Sequence, residues 1–197
     1  MDSLPRSFYD RPTLQVARDL LGRVLVRVLD GSRIAGRIVE VEAYIGQDDQ
    51  ACHARFGRTA RNAVMFGPPG FAYVYFTYGM HWMLNAVTEP AGQPAAVLIR
   101  AIEPLEGQAR IAAHRAGRPP REWTAGPARL TRALRIDGSL NGADLTDGIL
   151  FVEAGQPVPD NAVKTGPRIG LYNTPEPWKS LPWRFWLEGS PYVSKPR

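Results

Sequence analysis

Residues 23–44 read RVLVRVLDGSRIAGRIVEVEAY. Branched side chains fill 23–29 and 33–44, and the Asp30-Gly31 pair between them suits the two central positions of a tight hairpin turn. The stretch predicts two antiparallel strands, and the rest of the chain is read around them. Upstream, Asp10 can cap a helix beginning at Pro12, with Val16, Ala17, Leu20 and Leu21 on its apolar face and Gly22 at its end. Downstream, 71–78 (FAYVYFTY) and 80–87 (MHWMLNAV) read as strands around Gly79, and 95–102 (AAVLIRAI) as another. Pro104 is expected to start a helix through Ala116, and Thr124 or Gly126 with Pro127 a second one through Arg135. Asn141-Gly142 turns the chain, and 149–153 and 184–188 read as short late strands. This order of helix, strands, helices and strands predicts an α+β fold: one domain over 1–197, with a mainly antiparallel sheet and no repeat or linker.

Composition narrows the class. Hydrophobic residues at 44% and charged residues at 22% exclude a disordered chain, and 19 Gly with 18 Pro argue against a helical bundle. The net charge is +5, carried by three lysines and 21 arginines. The guanidinium fork matches phosphate oxygens, so a polyanion is a fitting partner. Cys52 is the single cysteine, which excludes an internal disulfide and a cysteine zinc cluster. The first twelve residues lack the apolar core of a signal peptide. The apolar stretch 71–87 is broken by Thr77, Gly79, His81 and Asn85, so no membrane partner and a cytoplasmic location are expected.

Several residues invite chemistry. In a strand, Glu40, Glu42 and Tyr44 share one face, with the two carboxylates ~7 Å apart. That face is either solvated decoration or a carboxylate pair of the kind that hydrolyses glycosidic bonds, with one member activating water. Tyr73, Tyr75 and Thr77 share another face, and Tyr78 beside Gly79 sits at a hairpin tip, either as a surface tyrosine or as a wedge for base steps. The long loop over 45–69 carries Asp48, Asp49, His53, Arg55, Arg58 and Arg61. Between 108 and 136 lie seven arginines and one acid, Glu122, with Arg129, Arg132 and Arg135 spaced to share a helical face. His53 with Asp48 and Asp49 lacks metal-ligand spacing, and no nucleophile elbow, P-loop or dinucleotide fingerprint is present. No metal and no cofactor are expected.

The motifs GRIVEVEAY (36–44), HARFGRTARN (53–62), MF (65–66), YVYFTYGM (73–80), LIRAIEPLEG (98–107), GPARL (126–130), RIG (168–170) and RFWLEGSPYVS (184–194) occur in order. Together with Asn85 they resemble the alkyladenine, or 3-methyladenine, DNA glycosylase family over nearly the whole chain. The resemblance implies a curved antiparallel sheet with flanking helices and a protruding hairpin that enters the DNA minor groove. It implies a monomeric, monofunctional glycosylase of damaged double-stranded DNA that releases 3-methyladenine, 7-methylguanine and, in the wider family, ethenoadenine and hypoxanthine. By position, Glu42 matches the general base, and Arg100 with the Ile169 carbonyl matches the groups that hold the water. Tyr44, His53, Tyr75 and Asn85 match the base pocket, Tyr78 and Met80 the inserted hairpin, and Arg58, Thr59 and Arg129 the backbone contacts. His81 stands where the vertebrate enzyme has an aromatic. Two other classes compete: a DNA-kinking structural protein that uses Tyr78 alone, and a metal-dependent nuclease around Asp48, Asp49 and His53.

Overall fold

The turn at Asp30-Gly31 forms as its chemistry dictates, with φ of 49° and 70° at the two residues. Leu29 pairs with Ser32 across it. In the computed structural model, which describes residues 2–195, this hairpin joins β1 (Val24–Leu29) to β2 (Ser32–Ile45). Six more strands follow: β3 (Ala72–Thr77), β4 (His81–Val87), β5 (Ala95–Glu106), β6 (Leu150–Glu153), β7 (Val163–Gly166) and β8 (Arg184–Leu187). They form one sheet in the order β3-β4-β5-β2-β1-β6, with β8 on β2 and β7 on β8. Every pairing is antiparallel.

β2 organises this sheet because it is long enough for three partners. One edge runs along β5, while the other pairs first with β1 and then, at Glu40–Glu42, with β8. Register shifts at Ile38/Glu40 and Glu40/Val41 mark bulges, which bend a strand and increase its twist. Val39, Val41 and Ala43 of β2 enter the main core with Ile99 and Ile102 of β5. The helices are α1 (Arg6–Tyr9), α2 (Thr13–Leu20), α3 (Gln108–His114) and α4 (Pro127–Ala133). α2 adds Val16, Ala17 and Leu20 to that core, and α4 adds Leu130 and Ala133. Among the described residues no helix is long and apolar enough to cross a membrane.

The structure corrects three local expectations. Asp10 closes α1 instead of opening α2. α2 starts at Thr13, whose amide and hydroxyl both donate to Glu89 Oε1 at 2.9 and 2.7 Å, so its cap comes from the β4–β5 connection. Pro104 starts no helix: β5 continues through it to Glu106, because Pro104 lies beside a register shift opposite Gly36, where a missing N–H is tolerated. Gly107, at φ 70°, then turns the chain into α3. Arg135 lies beyond α4 in a left-handed conformation, φ 51°. Ile136 N–H bonds Thr131 C=O at 2.8 Å around it, the C-terminal motif that usually recruits glycine. Arg135 therefore leaves the helical face expected to join it to Arg129 and Arg132.

The long 45–69 loop is held by a buried ion pair. Asp49 accepts from both terminal nitrogens of Arg168, at 2.6 and 2.9 Å, and from the Ile45 and Ala51 amides. Both side chains are fully buried, and Arg168 also donates to the carbonyls of Ala43 and Trp178. The pair joins the loop to the carboxyl-terminal segment. Asp49→Ala strands a buried guanidinium, so urea melts should give a loss of about 3–5 kcal/mol in unfolding free energy; a loss below about 1 kcal/mol, the scale of a surface pair, would contradict this account of the loop.

Candidate active site

Strand register assembles the site. Tyr73 pairs with Asn85, Asn85 with Leu98, Leu98 with Glu42, and Glu42 with Arg184, forming one row across five strands. Directly paired residues project to the same face and successive strands lie ~4.8 Å apart, so Asn85 stands about 10 Å from Glu42 on a shared surface. Period two adds neighbours on that surface: Tyr75 and Thr77 from β3, Met83 from β4, Ala96 and Arg100 from β5, and Tyr44 from β2. The loop contributes Ala51, His53 and Met65, and residues 169–171 close the far wall. All of these but Glu42 and Arg184 line a cavity of about 330 Å³, and Glu42 lies behind its wall, against Tyr44, Arg100 and Ile169.

Neither glutamate is solvated decoration: Glu40 and Glu42 are 0% exposed. Three donors converge on Glu42. Ile169 N–H reaches Oε1 at 2.7 Å, Arg100 Nη1 lies 3.2 Å from the same oxygen, and the Tyr44 hydroxyl reaches Oε2 at 2.9 Å. Burial and the Glu42 charge push the Tyr44 phenol well above its ordinary pKa, so Tyr44 keeps its proton and is the donor. Glu40 accepts from Arg100 Nε, Arg184 Nε, the Ser194 amide and the Ser194 hydroxyl, at 2.7–2.9 Å. Arg100 thus spans both carboxylates. Burial is the largest single influence on it and lowers its pKa, but the charges of Glu42, then Glu40, together outweigh burial and hold it above the ordinary value, so it stays a cation.

The rings form the other wall. His53 Nδ1 lies 2.8 Å from the Tyr73 hydroxyl, and the His53 ring meets Tyr75 edge-on with centroids 4.4 Å apart. The back face of Tyr44 carries the Arg168 guanidinium at 4.7 Å. Asn85 is 4% exposed, and its side-chain N–H bonds the Tyr73 carbonyl at 3.0 Å, which fixes its amide at the cavity wall. At the mouth, the turn between β3 and β4 presents Tyr78 at φ 52°, 77% exposed, and Met80, 68% exposed.

The structure brings Tyr44, His53, Tyr75, Asn85, Arg100, Ile169 and Tyr78 together around this cavity, with Glu42 buried behind Tyr44, Arg100 and Ile169. The Ile169 peptide meets Glu42 through its amide, a contact distinct from the carbonyl role expected of it. Thr59 is engaged within the loop, its amide bonding Asn62 Oδ1 at 2.6 Å, and Arg58 is exposed beside it. Arg129 lies 3.5 Å from Glu122 and is half-buried. Asp49 is committed to Arg168, and among the described residues no group of three His, Cys, Asp or Glu side chains could hold a metal. Sequence reasoning missed Tyr73 as a partner of His53, although its two-residue spacing from Tyr75 is a usable signal. It also missed Arg168 and Ser194, whose partners lie more than a hundred residues away.

Comparison with known proteins identifies a family. The family model described as methylpurine-DNA glycosylase matches residues 7–191. A protein of Methanocella arvoryzae is 54% identical over 197 residues, covering 99% of this chain and 97% of that relative. One from Carboxydothermus hydrogenoformans is 52% identical, covering 98% of each chain. One from Myxococcus xanthus is 49% identical, covering 99% of this chain and 95% of its own. All three bear the provisional name 3-methyladenine DNA glycosylase.

The ring wall makes a pH prediction. His53 is exposed as a whole, yet partial burial of its ring against Tyr73 and Tyr75, then the positive charges of Arg61 and Arg55, lower its pKa below the ordinary value. Between the lowered and the ordinary value the unfolded chain binds more protons at this residue than the folded one, so its contribution lowers stability as pH falls through that window. An NMR titration should find the His53 midpoint below that of a free imidazole; a midpoint at or above it would contradict the ring contacts described.

Proposed function

From the methylpurine-DNA glycosylase family, to which this chain belongs, we propose the following reading: the protein flips an alkylated purine nucleotide out of duplex DNA and hydrolyses its N-glycosidic bond, leaving an abasic site. The observation that carries the reading is a buried carboxylate, Glu42, held by three donors beside a cavity walled with aromatic rings. A DNA-kinking protein needs only the exposed hairpin tip; it has no use for a buried carboxylate and a fixed amide at the foot of a cavity.

The chemistry follows from the groups available. A purine cannot react within the stack, so the nucleotide must leave it, and Tyr78 with Met80 fills the vacated space from the minor groove. The extruded base lies among Tyr44, Tyr75 and His53. A cationic alkylated ring is drawn to electron-rich aromatic faces more than a neutral one. Asn85 crowds the exocyclic amine of guanine and rejects the normal base. Glu42 takes a proton from a water held by Arg100 and the Ile169 carbonyl while that water attacks C1′, and the C1′–N bond pair leaves with the base. An alkylated purine leaves as a neutral molecule, so 3-methyladenine and 7-methylguanine need little acid assistance. Ethenoadenine and hypoxanthine are neutral and leave with negative charge, which a hydrogen bond from the His53 main-chain amide helps to stabilise. Arg58, Thr59 and Arg129 contact the DNA backbone, which makes binding depend steeply on salt. The matched pocket holds no lysine, so no Schiff base forms and the strand is left intact.

Release of free base from duplexes carrying methylated purines, with chelator present and alkali added afterwards, tests the reading. Wild type should release base, strands should break only after alkali, and Glu42→Gln should slow release by about 10²-fold or more while still binding the duplex. Full activity in Glu42→Gln would overturn it.

A further inference from the structure

The carboxyl-terminal motif RFWLEGSPYVS has no part in the chemistry proposed above, yet its two ends grip one group. Arg184, its first residue, bonds Glu40 Oε1 at 2.7 Å. Ser194, its last, bonds both Glu40 oxygens, through its amide and its hydroxyl, at 2.7 Å each. The Ser194 hydroxyl also accepts from Arg100 Nη2 at 3.1 Å, and Arg184 Nη2 returns to the Ser194 carbonyl at 3.1 Å. All of these side chains are buried. The Arg100 guanidinium is therefore fixed at three nitrogens: Nε by Glu40, Nη2 by Ser194 and Nη1 against Glu42. Without Ser194 the guanidinium keeps its Nε bond to Glu40 and only the longer 3.2 Å approach of Nη1 to Glu42, so it could rotate about Nε and its Nη1 edge would be held less firmly against Glu42. We infer that Ser194 is a positioning residue for base hydrolysis, acting through Arg100 to hold the edge that faces Glu42 and the cavity.

The inference rests on the glycosylase reading, and a double-mutant cycle in single-turnover base release separates the two. Ser194→Ala should slow release about 10-fold, the scale of a lost buried hydrogen bond to a charged group, with Kd for an uncleavable lesion duplex unchanged. In an Arg100→Lys background the same change should have no further effect. Ser194→Thr should retain the rate and its isostere Ser194→Val should lose it, which separates the hydroxyl from shape if Ser194→Ala folds poorly. Equal losses in both backgrounds, or a full rate in Ser194→Ala, would overturn the inference. A wild-type protein that releases no base would instead remove the reading beneath it and the inference with it.

Discussion

One guanidinium shared between two buried carboxylates underlies the arrangement of this protein. Arg100 lies between Glu40 and Glu42, and Arg184 supplies the second positive charge. Two carboxylates and two guanidiniums therefore balance inside the sheet. Removing any one leaves a buried charge without its partner, which is far more damaging than the intact set is stabilising. A hydrophobic quartet could fill the same volume, so retaining ions here makes sense through what they hold in place. They fix a carboxylate and a cationic edge at the foot of a cavity.

The long strand β2 makes that possible. Its bulges at Glu40 lie where its partner strand changes from β1 to β8, so the segment carrying both glutamates is bent, and β8 pairs with an edge that would otherwise be open. The row from Tyr73 through Asn85 and Leu98 to Glu42 then runs across rigid strands. Groups on such a row hold their spacing better than groups on loops. The parts that must meet a flexible duplex sit instead on turns: Tyr78 and Met80 on the β3–β4 tip, and Arg58 on the loop that Asp49 and Arg168 tether.

Much of this was legible in the sequence, for identifiable reasons. The β1–β2 hairpin depends on local turn chemistry, and the faces of β2 and β3 depend on period two, so Glu42 with Tyr44 and Tyr73 with Tyr75 were visible as face-sharing pairs. Periodicity could not say that the glutamate face is buried, because what buries it is β8 and the segment ending at Ser194, some 150 residues away. Pro104 misled for a similar reason: a proline that starts helices elsewhere is harmless in a strand when a bulge removes the need for its N–H. The α2 cap was hidden because it comes from Glu89. Arg135 was misplaced because a tertiary fit overrode the usual glycine at that turn.

The central claim is that the cavity receives an extruded purine and that Glu42 addresses the water that attacks it. A crystal structure of the protein on a duplex carrying an uncleavable alkylated purine nucleotide tests this most directly. The account predicts the purine between Tyr44 and the His53–Tyr75 pair, Tyr78 in the vacated stack, and a water about 3 Å from both Glu42 and Arg100. A purine left in the helix, or one seated in the cavity with no water between C1′ and Glu42, would contradict it.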